Sequence, residues 1–182
     1  MTTFDYCKEK RYQKTLDFLN KTIPKSSKIL DLGTPNDFSK IMQKAGYDVK
    51  NTNGENLDID FKIARESNAD VITAFEIFEH MLAPFNILNS IKNKKIVASI
   101  PLKLWFANAY WNDNDDWDKH YHEFEPRQFE LLLERTNWNI IKSEKWKSYS
   151  PNKFGLRPLL RRIFDRYYIV YCEKKYSFFI IY

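Results

Sequence analysis

The stretch Lys28-Ile-Leu-Asp-Leu-Gly33 (KILDLG, residues 28–33) is a short apolar run closed by a turn residue. A run of this length predicts a buried β-strand. Asn36 follows as a helix cap, and the apolar spacing after it predicts an amphipathic helix through Phe38, Ile41, Met42 and Ala45. The order strand, turn, helix is the first half of a β-α-β unit.

Five more runs of the same kind follow, at residues 47–52, 70–75, 95–100, 139–146 and 167–173. Helical spacing separates several of them, at Phe85, Leu88 and Ile91 and again after Pro126. This alternation predicts a doubly wound α/β fold with a mostly parallel sheet, and the last two runs predict an antiparallel pair at its edge. We expect one domain over residues 1–182, with a helical cap at 1–25 and a long aromatic and acidic excursion at 102–125.

Composition excludes several classes of protein. No stretch approaches the roughly 20 apolar residues of a membrane helix, and Cys7 and Cys172 have no C-x-x-C partner for a thiolate zinc site. The amino terminus lacks a secretory signal, so we expect a cytoplasmic protein with no membrane partner. The net charge is +5, and residues 145–182 hold nine cationic against two acidic side chains. That basic end predicts an anionic substrate, a nucleic acid or a solvated face; nucleic acid is not favoured, because no base-stacking pattern accompanies it.

Four segments carry a resemblance to a known family: ILDLG (29–33), DVITAFEIFEHM (70–81), ASIP (98–101) and HYHEFEPRQFELLLERTNW (120–138). The chain resembles the small class I S-adenosylmethionine-dependent methyltransferases, which implies a seven-stranded Rossmann-like sheet with an antiparallel edge strand near the carboxyl terminus. It also implies S-adenosylmethionine as cofactor. Asp31 and Gly33 match the start of its cofactor-binding pattern, and the residues that we expect to contact the cofactor are Asp31, Gly33, Thr34, Asn53, Asp58 and Phe75.

The chain departs from the family pattern at two turns. The usual G-x-G is replaced by Gly33-Thr34-Pro35-Asn36, so a proline ring stands where glycine permits close approach of the backbone. The second strand is followed by Asn53 in place of an acid, and Glu55 or Asp58 is the nearest substitute acceptor for a ribose diol.

The segment from Glu76 to His80 has the spacing E-x-x-E-H. On a helix, positions i, i+3 and i+4 share one face, so two carboxylates and an imidazole would converge. This resembles the metal site of ubiquinone-type and small-RNA 2′-O-methyltransferases, which implies Mg²⁺ or Mn²⁺ at Glu76, Glu79, His80 and His122. The alternative is that the glutamate contacts cofactor or substrate while the histidine supports the loop. For catalysis we consider Glu76, His80 and His122, while His120 is the other histidine of the excursion.

These residues predict transfer of a methyl group to an oxygen, or to a nitrogen, of a small-molecule acceptor. One alternative is a non-catalytic module that kept the fold, motivated by the altered glycine turn. A second is a metal-dependent RNA 2′-O-methyltransferase, which would bind RNA in a salt-sensitive way.

Overall fold

Six strands and six α-helices alternate along the chain in a computed structural model, which describes residues 3–92 and 94–175, with side chains from residue 6 onward. The strands are β1 Lys28–Asp31, β2 Asp48–Asn51, β3 Val71–Phe75, β4 Lys95–Pro101, β5 Trp138–Trp146 and β6 Tyr167–Lys174. The helices are α1 Thr3–Thr22, α2 Asp37–Lys44, α3 Lys62–Arg65, α4 Pro84–Ser90, α5 Pro126–Arg135 and α6 Leu156–Ile163, with a 3-10 helix at Phe78–His80.

The sheet has the strand order β2-β1-β3-β4-β6-β5. The first four strands are parallel, and β6 runs antiparallel to both β4 and β5. The α/β architecture and the antiparallel carboxyl-terminal pair are therefore confirmed. Strand order reverses between β1 and β3, where the connections leave the sheet in opposite directions and open a crevice at its carboxyl edge.

The strand count implied by the family resemblance was wrong by one. The described residues form six strands, and the segment between β2 and β3 holds only the four-residue helix α3. The sequence itself contains six strand-like runs; the seventh strand came from the family pattern alone. The apolar tail 176–182 lies outside the described residues.

Both faces of the sheet are buried, and neighbouring residues of one strand pack on opposite sides. Ile29 belongs to the apolar cluster that contains Phe18 and Leu19 of α1, whereas Leu30 belongs to the cluster that contains Phe129 of α5. Burial on both sides explains why the strands are continuous apolar runs. Among the described helices, none is long and apolar enough to cross a lipid bilayer.

Local signals in the sequence set two helix starts. The Asn36 side chain accepts hydrogen bonds from the backbone N–H groups of Phe38 and Ser39, as its position before α2 predicted. Pro126 occupies the first turn of α5, where the missing N–H costs nothing. Helix α6 was missed, because no element was predicted between the strand-like runs at 139–146 and 167–173.

Candidate active site

A cavity of about 270 Å³ lies at the carboxyl edge of the sheet, where the strand order reverses. Its walls come from α1, the β1–α2 turn, the end of β3 and β4. The lining residues are Arg11, Tyr12, Thr15, Asp31, Leu32, Asn36, Phe38, Phe75, Glu76, Ile77 and Ser99. Predicted site residues Asp31, Phe75 and Glu76 are thus brought together.

Asp31 ends β1 and is 3% exposed. Its two carboxylate oxygens accept hydrogen bonds from Thr73 Oγ1 at 2.6 Å and from Asn51 Nδ2 at 3.0 Å. Burial raises the pKa of Asp31 to about 7, although both hydrogen bonds oppose the shift. The carboxyl group therefore titrates near neutral pH, where a bound cation would favour its ionised form.

Gly33 makes the turn that follows. Its φ is +113°, and a Cβ there would lie 3.3 Å from Ile77 Cδ1, so both the backbone and the space favour glycine. Its N–H donates to Thr52 Oγ1 at 2.9 Å, and its carbonyl accepts from Asn51 Nδ2 at 3.2 Å. Asn51, the last residue of β2, thereby ties the ends of β1 and β2 together.

Glu76 directly follows β3 and has a φ of +56°, which is uncommon for a residue with a side chain. Its Oε1 accepts a hydrogen bond from Ser99 Oγ at 2.8 Å, and its Oε2 lies 3.5 Å from Arg11 Nη1. Burial raises the pKa of the Glu76 carboxyl above its usual value, against the opposing charge of Arg11.

The left-handed backbone at Glu76 corrects one prediction. The helix expected from Glu76 does not form, because only Phe78–His80 adopts a 3-10 turn. Glu76 therefore faces Ser99 and Arg11, and the histidine that joins Glu79 and His80 is His120. Among the described residues, ligand atoms of Glu79, His80 and His120 lie within 4.8 Å of one another.

Glu79 is fully buried, and neither of its carboxylate oxygens has a hydrogen-bond partner. Burial, followed by the charge of Glu76, raises the pKa of Glu79 well above its usual value. Its backbone carbonyl accepts from the N–H groups of Tyr121 and His122, which ties the excursion to the 3-10 turn. An unpartnered buried carboxylate of this kind is either neutral or paired with a cation.

The two nearby imidazoles have fixed orientations. His80 Nδ1 donates to the carbonyl of Lys119 at 3.1 Å, and His120 Nδ1 donates to Glu123 Oε1 at 3.1 Å. Burial lowers the pKa of both rings, so they are neutral near pH 7 with a lone pair on Nε2. A hydrogen bond from Nδ1 to an oxygen is the usual support of a metal-binding histidine.

Four other predicted residues lie outside the cavity wall. Thr34 and Asn53 are exposed, and Asn53 donates to Glu55 through its N–H and its side chain. Asp58 accepts from the N–H groups of Leu82 and Ala83, before α4. The Nε2 atom of His122 lies 3.4 Å from the Leu82 carbonyl oxygen, and the His122 ring packs against Phe124.

The sequence interpretation missed Arg11 and Ser99 as site residues. Ser99 was detectable in principle, because it pairs in register with Phe75 on the neighbouring strand. Arg11 shares the cavity-facing side of α1 with Tyr12 and Thr15, but its contact with Glu76 depends on the packing of that helix.

Comparison with known proteins shows to which family the chain belongs. Residues 4–143, more than three quarters of the chain, match the family model described as a methyltransferase domain. The chain belongs to this family. It is a methyltransferase of the S-adenosylmethionine-dependent class, and among curated proteins none shows detectable sequence similarity to it.

Solved structures share the fold of this methyltransferase at low identity. The 1,6-didemethyltoxoflavin-N1-methyltransferase of Burkholderia thailandensis, solved with 1,6-didemethyltoxoflavin and S-adenosylhomocysteine bound, has a TM-score of 0.61 at 14% identity, over 91% of this chain and 78% of that one. A methyltransferase of Archaeoglobus fulgidus has a TM-score of 0.55 at 12% identity, over 91% and 94% of the two chains. The [4+2]-cyclase SpnF matches with a TM-score of 0.55 at 11% identity, over 91% and 82%. The last match illustrates that the fold does not fix the reaction.

Proposed function

We propose that this methyltransferase transfers the methyl group of S-adenosylmethionine to an oxygen, or alternatively a nitrogen, of a small-molecule acceptor at the carboxyl edge of its sheet. The observation that carries the proposal is the cavity between β1 and β3, in which Asp31, Glu76 and Arg11 converge. When bound, the cofactor supplies a methyl group activated by a sulfonium. The acceptor must then be held in line with that methyl group and lose its proton.

The charges of the cavity fit the amino-acid half of the cofactor. Arg11 offers a guanidinium for the carboxylate, while the carboxylates of Asp31 and Glu76 suit an ammonium or a sulfonium. The rings of Tyr12, Phe38 and Phe75 supply apolar wall. The exposed Thr34 and Asn53, together with the half-buried Asp58, remain our candidates for the nucleoside half.

Glu76 is our first candidate for the acceptor's general base. Ser99 holds one carboxylate oxygen, and Arg11 lies beyond hydrogen-bond distance of the other, at 3.5 Å. A carboxyl group with a raised pKa accepts a proton more readily near neutral pH than an ordinary one. His80 and His122, the other candidates, do not line this cavity, so their involvement requires an acceptor that extends toward the excursion.

Calorimetric titration with S-adenosylmethionine tests the proposal. We expect micromolar binding to the wild-type protein, a loss of about tenfold or more in Arg11→Gln, where a charged hydrogen bond is lost, and no change in Lys14→Gln, an exposed charge on the same helix. Equal affinities in the two variants would remove Arg11 from the cofactor site. Absence of wild-type binding at millimolar cofactor would overturn the proposal.

A divalent metal is a second candidate, favoured by the unpartnered carboxylate of Glu79. The residues that would hold it are Glu79, His80 and His120, and two imidazoles with one carboxylate suit Mn²⁺ better than Mg²⁺. When bound, such an ion polarises an oxygen ligand and lowers its pKa.

Titration with Mn²⁺ separates the metal hypothesis from a neutral buried acid. Binding to the wild-type protein that is lost in Glu79→Gln and kept in Glu66→Gln, an exposed acid, is the expected result. If millimolar Mn²⁺ does not bind, Glu79 is a protonated core residue and the metal hypothesis fails.

A further inference from the structure

Two further cavities, of about 380 and 440 Å³, lie beside the candidate active site. The two adjoin each other, since they share the lining residues Cys7, Ser148, Lys153 and Arg161, and together they are here called the basic cavity. Its walls come from α1, α6, residues 148–153 and the start of β6. The cationic lining residues are Lys8, Arg11, Lys153, Arg157, Arg161 and Arg166.

No acidic side chain is among the lining residues of the basic cavity. Lys8 is paired with Asp37 at 2.7 Å and Arg11 with Glu76 at 3.5 Å. The remaining four cations, Lys153, Arg157, Arg161 and Arg166, form no ion pair with any carboxylate in the described part of the chain. Arg166 donates to the carbonyl of Leu102, and its positive charge opposes the raised pKa of the buried Glu76 and Glu79 carboxyls.

The positive charges that line the basic cavity repel one another. Burial, followed by the charges of Arg166 and Arg157, lowers the pKa of the half-buried Arg161 guanidinium. Clustered like charges in a partly closed space raise the free energy of the empty protein, and an anion that enters relieves this repulsion. Arginine suits such an anion because its planar fork donates two parallel hydrogen bonds to one phosphate or carboxylate.

Arg11 connects this space to the candidate active site, since it lines both. Its guanidinium carbon also lies 5.6 Å from the ring centre of Tyr167, another wall residue of the basic cavity. A molecule that occupies the basic cavity therefore reaches Arg11, which is also the ion-pair partner of Glu76. An acceptor anchored here would direct its other end toward Glu76.

We propose that the methyl acceptor carries a phosphate group and that Lys153, Arg157 and Arg161 bind this group in the basic cavity. The inference rests on the proposed function, because it names the substrate class of the same site. The charge of a phosphate monoester, near −2, matches several unpaired cations better than a single carboxylate does. Cavities of this size hold small molecules, and a small phosphate ester fits them.

The test uses the full chain and inorganic phosphate as the probe, followed by calorimetry at fixed ionic strength. The cavity variant is Arg157→Gln/Arg161→Gln, and the matched control is Arg127→Gln/Arg135→Gln, which removes two exposed charges from α5. We expect phosphate to bind the wild-type protein and the control alike. The cavity variant should bind at least about tenfold more weakly, since each charged hydrogen bond lost is worth that much. If the double variant folds poorly, Lys153→Gln, a single change on an exposed loop, replaces it in the test. This variant should also bind phosphate more weakly than the wild-type protein.

S-adenosylmethionine is titrated into the same proteins to separate the two proposals. Normal cofactor binding with no phosphate binding, or with phosphate binding equal in cavity variant and control, overturns the phosphate inference alone. Cavity-dependent phosphate binding without cofactor binding keeps the anion site and defeats the proposed function. A ten-nucleotide RNA that binds more tightly than phosphate, with a steep salt dependence lost in the cavity variant, overturns the inference in favour of a nucleic acid.

Discussion

At the scale of single residues, Asp31 makes stability depend on pH. Its folded pKa of about 7 lies above the ordinary 3.8, so the folded protein binds this proton more tightly than the unfolded chain. The associated stability is complete below pH 3.8 and is lost as pH rises toward 7. Between pH 5 and pH 8 we expect the ionisation of Asp31 to lower the free energy of unfolding by roughly 2.5 kcal/mol.

Urea unfolding at the two pH values checks this expectation. In Asp31→Asn the loss of stability from pH 5 to pH 8 should shrink by that amount, whereas Asp48→Asn, an exposed acid on β2, should follow the wild type. A wild-type slope in Asp31→Asn would mean that another buried acid, such as Glu79, governs the pH dependence.

Gly33, in the turn before α2, has a matched control in Gly46, which follows α2. Both have positive φ, +113° and +95°, but a Cβ at Gly33 would contact Ile77 while one at Gly46 meets open space. Alanine at either position should cost about 1–3 kcal/mol of unfolding free energy through backbone strain. Only Gly33→Ala should also weaken S-adenosylmethionine binding, measured by calorimetry. A similar loss of affinity in Gly46→Ala would show that the effect is global instability.

At the scale of elements, the strands were predictable because each is an apolar run buried on both faces. Helix α6 was missed, although Leu156, Leu159 and Ile163 recur at the helical positions i, i+3 and i+7. These side chains stay exposed in the structure, so the apolar side of α6 is not buried against the core. The residues of the candidate active site were likewise predictable only in part. Asp31 and Phe75 lie at strand ends and could be placed, whereas the positive φ of Glu76 and the choice of His120 over His122 depend on how the excursion packs.

Helix α1 is an integral part of the core, although it precedes the first strand. Phe18 and Leu19 are fully buried against β1 and β3 residues. We expect Phe18→Ala to lower the free energy of unfolding by about 3–5 kcal/mol. Phe154→Ala, at a site 89% exposed, should change it by less than about 0.5 kcal/mol. Urea denaturation measures both, and a small effect at Phe18 would mean that α1 is only loosely attached.

At the scale of the whole molecule, α1 and the residues that follow β3, Glu76 and Ile77, line the same cavity and are joined by the ion pair of Arg11 and Glu76. A ligand that lies between Arg11 and Glu76 contacts both elements. We therefore expect S-adenosylmethionine to slow amide hydrogen exchange in α1 and in residues 76–80 together, while α5, packed behind β5, stays unchanged. Exchange measured by mass spectrometry with and without the cofactor gives the answer. Protection confined to the Gly33 turn would place the cofactor outside this cavity, and the Arg11 contact would then serve only to hold α1 against the sheet.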